Sequence, residues 1–183
     1  MEGLSLLLER HSCGRLVAPA PQGQALENIL QAALAVPDHG GLHPWQFILC
    51  EGDGRLRLGQ ILAEAAQRRG EGIEAIDKLR QAPLRAPLVV VVVSRAIVHP
   101  KVPVLEQQLS AGCAAMAMQM AAQAQGFGGI WRSGWVMFDP DVHQALGLAD
   151  GEQIVGFVYL GTPEVAVTGP RRALDSAKFV RYL

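Results

Sequence analysis

The sequence predicts an α+β fold: a small mixed central β-sheet flanked by helices, in one domain spanning residues 1–183. Three stretches carry that expectation. "APLVVVVVSR", residues 86–95, is a β-branched run apolar on both faces, which suits a strand in the middle of a covered sheet. "QIVGFVYLGTP", residues 153–163, reads as a second buried strand. "VLEQQLSAGCAAMAMQMAAQAQG", residues 104–126, is a long helix apolar around most of its circumference, which suits a buried one, with Gly126 placed to stop it.

The other elements fit around these three. Residues 3–10 read as a short helix with Leu4, Leu7 and Leu8 on one face. Leu26, Ile29, Leu30, Ala33 and Leu34 recur at helical spacing in "GQALENILQAALA". "VPDHGGLHPW" breaks regularity with two prolines and two glycines. Trp45 then opens a strand, "WQFILCEG", and two amphipathic helices follow in "GRLRLGQILAEAAQRRG" and "IEAIDKLRQA". "DPDVHQALGL" has the form of a short helix capped by Asp139 with Pro140 in its first position. The tail "AKFVRYL" has strand-like content and no partner within the chain.

Composition excludes several classes. Half the residues are apolar and the net charge is −1, so there is no electrostatic footprint for nucleic acid. No apolar stretch is long and uninterrupted enough for a bilayer, so no membrane partner is expected. The start "MEGLSLLLERHS" lacks the basic region of a signal peptide. Cys13, Cys50 and Cys113 are odd in number and widely spaced, which suggests neither a disulfide framework nor a zinc site. A reducing, cytoplasmic setting is the expectation.

Three segments offer chemistry. "RHSCGR" presents Arg10, His11, Ser12 and Arg15, residues suited to a phosphate cradle or to a solvated helix end. "PDHGGLHPW" holds His39 and His43 at a four-residue spacing, but its glycines argue against the helix a metal pair would need, and a loop with polar contacts is the simpler reading. Nearby, Glu106 and Gln107 enter the long helix as caps or boundary contacts, its methionines read as core filler, and Cys113 reads as a small buried hydrophobe. The third segment is "GFGGIWRSG", residues 126–134. A dinucleotide fingerprint would follow a strand and open a helix. These glycines follow a helix and open a strand. Gly128 and Gly129 admit either close approach of a flat ligand to backbone N–H groups or a tight packing contact; Trp131 can wall a ring, and Arg132 and Ser133 can reach a phosphate. If "RHS" and "WRS" meet in the fold, the pairing suits FMN, flat at one end and anionic at the other.

The order of landmarks "ERHSCGRL", "PDHGGLHPWQF", "APLVVVVV", "EQQLSAGCAAMAMQMAAQAQGFGGIWRSG" and "IVGFVYLGTP" resembles the FMN-dependent nitroreductase family, in particular its small YdjA-type members, over nearly the whole chain. The resemblance implies a nitroreductase-like fold and a homodimer with two FMN sites at the interface. It also implies C-terminal strand exchange, which gives the unpaired tail a role. Carried over by position, Arg10, His11 and Ser12 meet the FMN phosphate and ribityl chain. Ala35 and His39 come from the other subunit. Trp131, Arg132 and Ser133 complete the phosphate end. Ala121, Ala122, Gln123, Ala124, Gln125 and Gly126 meet the NAD(P)H co-substrate. The implied reaction is ping-pong transfer from NAD(P)H to a nitroaromatic, quinone or similar electron-poor acceptor. The Gly128 and Gly129 backbone would lie near the flavin, and no side-chain catalyst is required. Four positions depart from the pattern: His11 stands where an arginine is expected, Ala35 removes a cation, and Gly40 and His43 replace an expected lysine and glutamine. Two other classes compete: a non-catalytic flavin-binding protein, and a metal enzyme built on His39 and His43.

Overall fold

The computed structural model describes residues 2–165 and 174–183. In chain order the elements are α1 (Gly3–Leu8), β1 (Leu16–Val17), α2 (Gln24–Leu34), β2 (Trp45–Glu51), α3 (Asp53–Arg68), α4 (Ile73–Gln81), β3 (Leu88–Ser94), α5 (Val104–Ala124), β4 (Gly128–Arg132), α6 (Pro140–Ala145) and β5 (Gln153–Pro163). Single 3₁₀ turns lie at Ala82–Arg85, Trp135–Phe138 and Ser176–Lys178.

β3 is central, as its composition demands: all seven of its residues are buried. It pairs antiparallel with β2 along one edge and with β5 along the other. β5 is longer, at eleven residues, and uses its extra length on its far edge. There β4 pairs with residues 157–161 and β1 with residues 162–163, so two short strands lie end to end along one long one. Every pairing among the described residues is antiparallel, so the parallel pairing that a mixed sheet requires is not made by them within one chain.

Two helical layers cover the sheet. Val90, Val92, Val158 and Leu160 pack with Ile29 and Ala33 of α2 and Ala114 and Met118 of α5. The alternate residues Val89, Val91, Val93, Phe157 and Tyr159 pack with Leu58 and Leu62 of α3 and with Val142 of α6. This is the two-residue period of extended backbone at work: successive side chains of one strand feed opposite cores.

Local chemistry sets the ends. At the C-terminus of α5, Gly126 takes φ +85°. Its N–H donates to the Gln123 carbonyl and that of Phe127 to the Ala122 carbonyl, the paired bonds of a Schellman stop. At α6 the Asp139 carboxylate accepts from the N–H groups of Asp141 and Val142, with Pro140 following the cap.

Two features differ from the sequence expectations. α5 is not buried all round: Leu105, Leu109, Cys113 and Met116 form an exposed stripe along it, and Leu105 and Leu109 are each at least 60% exposed. Composition alone could not separate a helix buried in its own chain from one that keeps an apolar face for another surface. Cys113, on that stripe, is therefore not a buried hydrophobe. The tail residues Phe179, Val180, Tyr182 and Leu183 are exposed and form no strand with the rest of the chain. No helix among the described residues is long and apolar enough to cross a membrane.

α3 and α4 pack tightly at Gly59, where a Cβ would fall 2.2 Å from the Arg80 carbonyl oxygen. Backbone cannot yield as a side chain can, so Gly59→Ala is expected to destabilise the fold by about 1–3 kcal/mol in chemical denaturation. An unchanged midpoint would show that the two helices separate freely.

Candidate active site

The site forms where the N-terminal segment runs beside β4. The Cys13 N–H donates to the Gly129 carbonyl at 2.9 Å, which brings "RHS" and "WRS" together. A pocket of about 410 Å³ opens there, lined by Arg10, Ser12, Met116, Gln119, Trp131, Ser133 and Val155.

Trp131 is its wall. The indole lies across β5, its Nε1 donating to the Val155 carbonyl at 3.2 Å. This is possible only because position 156 is glycine: a Cβ there would sit 1.8 Å from Trp131 Nε1. On the other side Gly112 of α5 leaves room for the far edge of the ring.

Strand alternation divides the expected residues. Trp131 pairs with Val158 and faces α5, whereas Arg132 pairs with Phe157 and faces α3. Trp131 and Ser133 line the pocket, and the Arg132 guanidinium lies on the opposite face, 5.3 Å from the Tyr159 ring. Burial, and then the neighbouring Arg85, hold its pKa below the ordinary arginine value. Burial raises the Tyr159 phenol, partly offset by the same two arginines. Arg132 thus does not join Arg10 at one anion through its side chain. The same split occurs near the N-terminus: Arg10 and Ser12 line the pocket, while His11 does not and instead places Nδ1 3.1 Å from the Glu9 carbonyl.

Gly128 and Gly129 are not an open edge. A Cβ on Gly128 would meet Leu16 at 2.8 Å and Pro163 at 3.0 Å, and one on Gly129 would meet Leu160 at 3.0 Å. The tight-packing reading holds: β4 lacks side chains there because β1, β5 and the N-terminal segment fill the space.

The remaining expected residues lie away from this pocket within one chain. Ala35 caps α2. His39 Nδ1 is 2.6 Å from Glu106 Oε2, at the first turn of α5. Residues Ala121 to Gly126 end α5 against α2, where the Gln125 side chain bonds Asn28 and the carbonyls of Ala25 and Ala121. None of the six lines the pocket. Gln107 is neither a cap nor a boundary contact: it is buried, and its amide clamps the preceding loop through Ile97 and Val102. No three His, Cys, Asp or Glu side chains gather as a metal-ligand group among the described residues.

Sequence reasoning missed Met116, Gln119, Val155 and Gly156. Gln119 had a readable signal, a polar residue inside the apolar run "AMAMQMAA". It is buried, and its Oε1 has no hydrogen-bond partner. An unmet buried acceptor costs about 1–3 kcal/mol, which a ligand donor would offset. Arg10 with two serine hydroxyls suits an anion, and Trp131, Met116 and Val155 suit a flat apolar body. This donor set fits FMN.

The family model for the nitroreductase family matches residues 7–162. This chain belongs to that family. It is 49% identical over 182 residues to "Putative NAD(P)H nitroreductase YdjA" of Escherichia coli (strain K12), covering all of both chains. It is 39% identical over 186 residues to a protein of the same general description from Haemophilus influenzae, again over the whole of both. Among solved structures, a nitroreductase-like family protein from Bacillus cereus superposes with a TM-score of 0.86 at 22% identity, covering 100% of this chain and 96% of that one. A mutant of the FMN and NADPH-dependent nitroreductase NfnB of Sphigopyxis sp. strain HMH gives 0.77 at 16% identity, covering 100% and 99%. The expected nitroreductase-like α+β fold is therefore the observed one, and the enzyme is an oxidoreductase.

The contact at position 156 is open to a direct check. Gly156→Ala is expected to drive Trp131 off β5, costing about 1–3 kcal/mol of stability and shifting tryptophan emission to longer wavelength. Wild-type emission and stability would mean that the indole is not held there.

Proposed function

We propose that the chain is a single-domain FMN enzyme that carries reducing equivalents from NAD(P)H to nitroaromatic, quinone or similar electron-poor acceptors, working as a homodimer with two shared sites. The observation that carries this reading is the pocket itself, which sets a cation and two hydroxyls beside a flat indole wall.

In this reading Arg10, Ser12 and Ser133 hold the phosphate, Trp131 orients the ring system, and Gln119 offers its unpaired amide oxygen to a donor on the ligand. FMN, when bound, supplies the group that accepts a hydride and passes it on. The chain's own work is binding, orientation and exclusion of water. Among the described residues Arg10 is the one ionisable side chain that lines the pocket. NAD(P)H and acceptor take the same open side in turn, which makes the kinetics ping-pong.

The exposed stripe on α5 supports the shared site. A closed two-fold interface places one patch against itself, so residues on either side of the axis meet in reverse order. With the axis midway between Leu109 and Cys113 on the exposed stripe, the Glu106 end of one α5 lies opposite the Met116 end of the other. His39, bonded to Glu106, then approaches the second copy's pocket, which suits a residue that does not line this pocket in its own chain. The exposed tail suits exchange onto the partner's sheet in the same dimer.

Arg10→Ala should weaken FMN binding by about 1.5–3 kcal/mol, tenfold or more in Kd, measured by flavin fluorescence quenching on apoprotein. Arg132→Ala, on the other face, should change Kd by no more than about twofold; the reverse order would move the phosphate to Arg132. Leu109→Glu should give monomers by sedimentation and lose flavin together with the dimer. A flavin-retaining monomer would end the shared-site reading. Steady-state assays varying NAD(P)H and a quinone should give parallel double-reciprocal lines, and intersecting lines would rule out a site used in turn.

A further inference from the structure

A second cavity, of about 460 Å³, lies on the α4 side of β4 and β5, behind the pocket described above. Its volume falls in the range of small-molecule sites. Leu79, Trp135 and Tyr159 give it apolar and aromatic walls, and Lys78, Arg85 and Arg132 bring three cations to it.

The charge there is uncompensated. Among the described residues none of these three cations is in a salt bridge, and residues 166–173 contain no Asp or Glu. The one acidic residue of the lining, Glu71, is engaged by Arg69 at 3.4 Å, and the Arg69 guanidinium itself covers the Trp135 ring at 4.7 Å. Arg132 is only partly exposed, and its buried Nε has no hydrogen-bond partner. Partly buried cations ordinarily have a counter-charge, and planar guanidinium groups match carboxylates in geometry. Cations alone would suit any anion. The walls narrow the choice, since Leu79 and the exposed part of Trp135 gain only from a ligand that carries apolar surface.

We propose that this cavity binds a small aromatic carboxylate, its ring against Trp135 and Leu79 and its carboxylate between Arg85 and Arg132. The site is separate from the flavin pocket: Trp131 and Arg132 are neighbours in sequence but serve opposite faces of β4.

The test is calorimetric titration of FMN-saturated full-length protein with benzoate, with benzyl alcohol and inorganic phosphate as comparison ligands. Flavin content is read by absorbance on the same sample, so loss of flavin and loss of benzoate binding are seen separately. Benzoate is expected to bind one per chain, and neither comparison ligand to bind measurably. Arg132→Gln should weaken benzoate by about tenfold. Arg85→Gln, at an exposed position where folding is not at stake, should weaken it by about fivefold. Ser12→Ala should leave benzoate affinity unchanged. Absence of benzoate binding overturns the proposal, as does binding that survives both arginine changes. Loss of binding in Ser12→Ala would place benzoate in the flavin pocket and overturn it too. Phosphate binding as tight as benzoate would reduce the cavity to a bare anion site, against the aromatic assignment.

Discussion

The structure depends on one strand hydrogen-bonded along both edges. β5 pairs with β3 on one side and with β4 and β1, end to end, on the other. Its register with β4 decides which side chains look toward α5 and which toward α3. Its glycine at 156 decides that an indole can lie flat across it. A one-residue slip of β4 would exchange Trp131 with Arg132 and put a guanidinium where the pocket has its wall. Such a slip is blocked by Gly128 and Gly129, whose missing side chains are the space occupied by Leu16, Pro163 and Leu160. The glycines serve the site by fixing the register of the strand that carries it.

That register also sorts the charge. Arg10 reaches the α5 face and Arg132 the α3 face, so the two arginines act on different cavities. Among the described residues Arg10 is the only cation lining the first pocket, and His39 from a second copy is the proposed complement. The exposed apolar stripe of α5 and the His39–Glu106 contact at its first turn fit one geometry, in which each protomer completes the other's pocket.

The fold was legible because strong local signals agreed. The valine run of β3, the Asp139–Pro140 start of α6 and the Gly126 stop of α5 each have a physical cause visible in a few residues. The meeting of Arg10 and Ser12 with Trp131 and Ser133 was legible as a condition, since it depended on a long-range pairing that no local pattern specifies. Contiguity misled in two triplets. Residues 10–12 and 131–133 read as units in a string, but the extended backbone of β4 sends Trp131 and Arg132 to opposite faces, and His11 does not join Arg10 and Ser12 in lining the pocket. Val155 and Gly156 were out of reach, because their roles come from the indole that crosses them. The open face of α5 was hidden for another reason: an apolar stripe left exposed has the same composition as one buried in its own chain.

A crystal structure of the protein grown with FMN tests the division of the two faces most directly. The expected result is flavin density on the α5 face, its phosphate at Arg10 and Ser12 and its ring system beside Trp131, with a second copy closing the pocket across the α5 stripe. Flavin density in the cavity of Arg85 and Arg132, or a flavin enclosed by one chain alone, would contradict it.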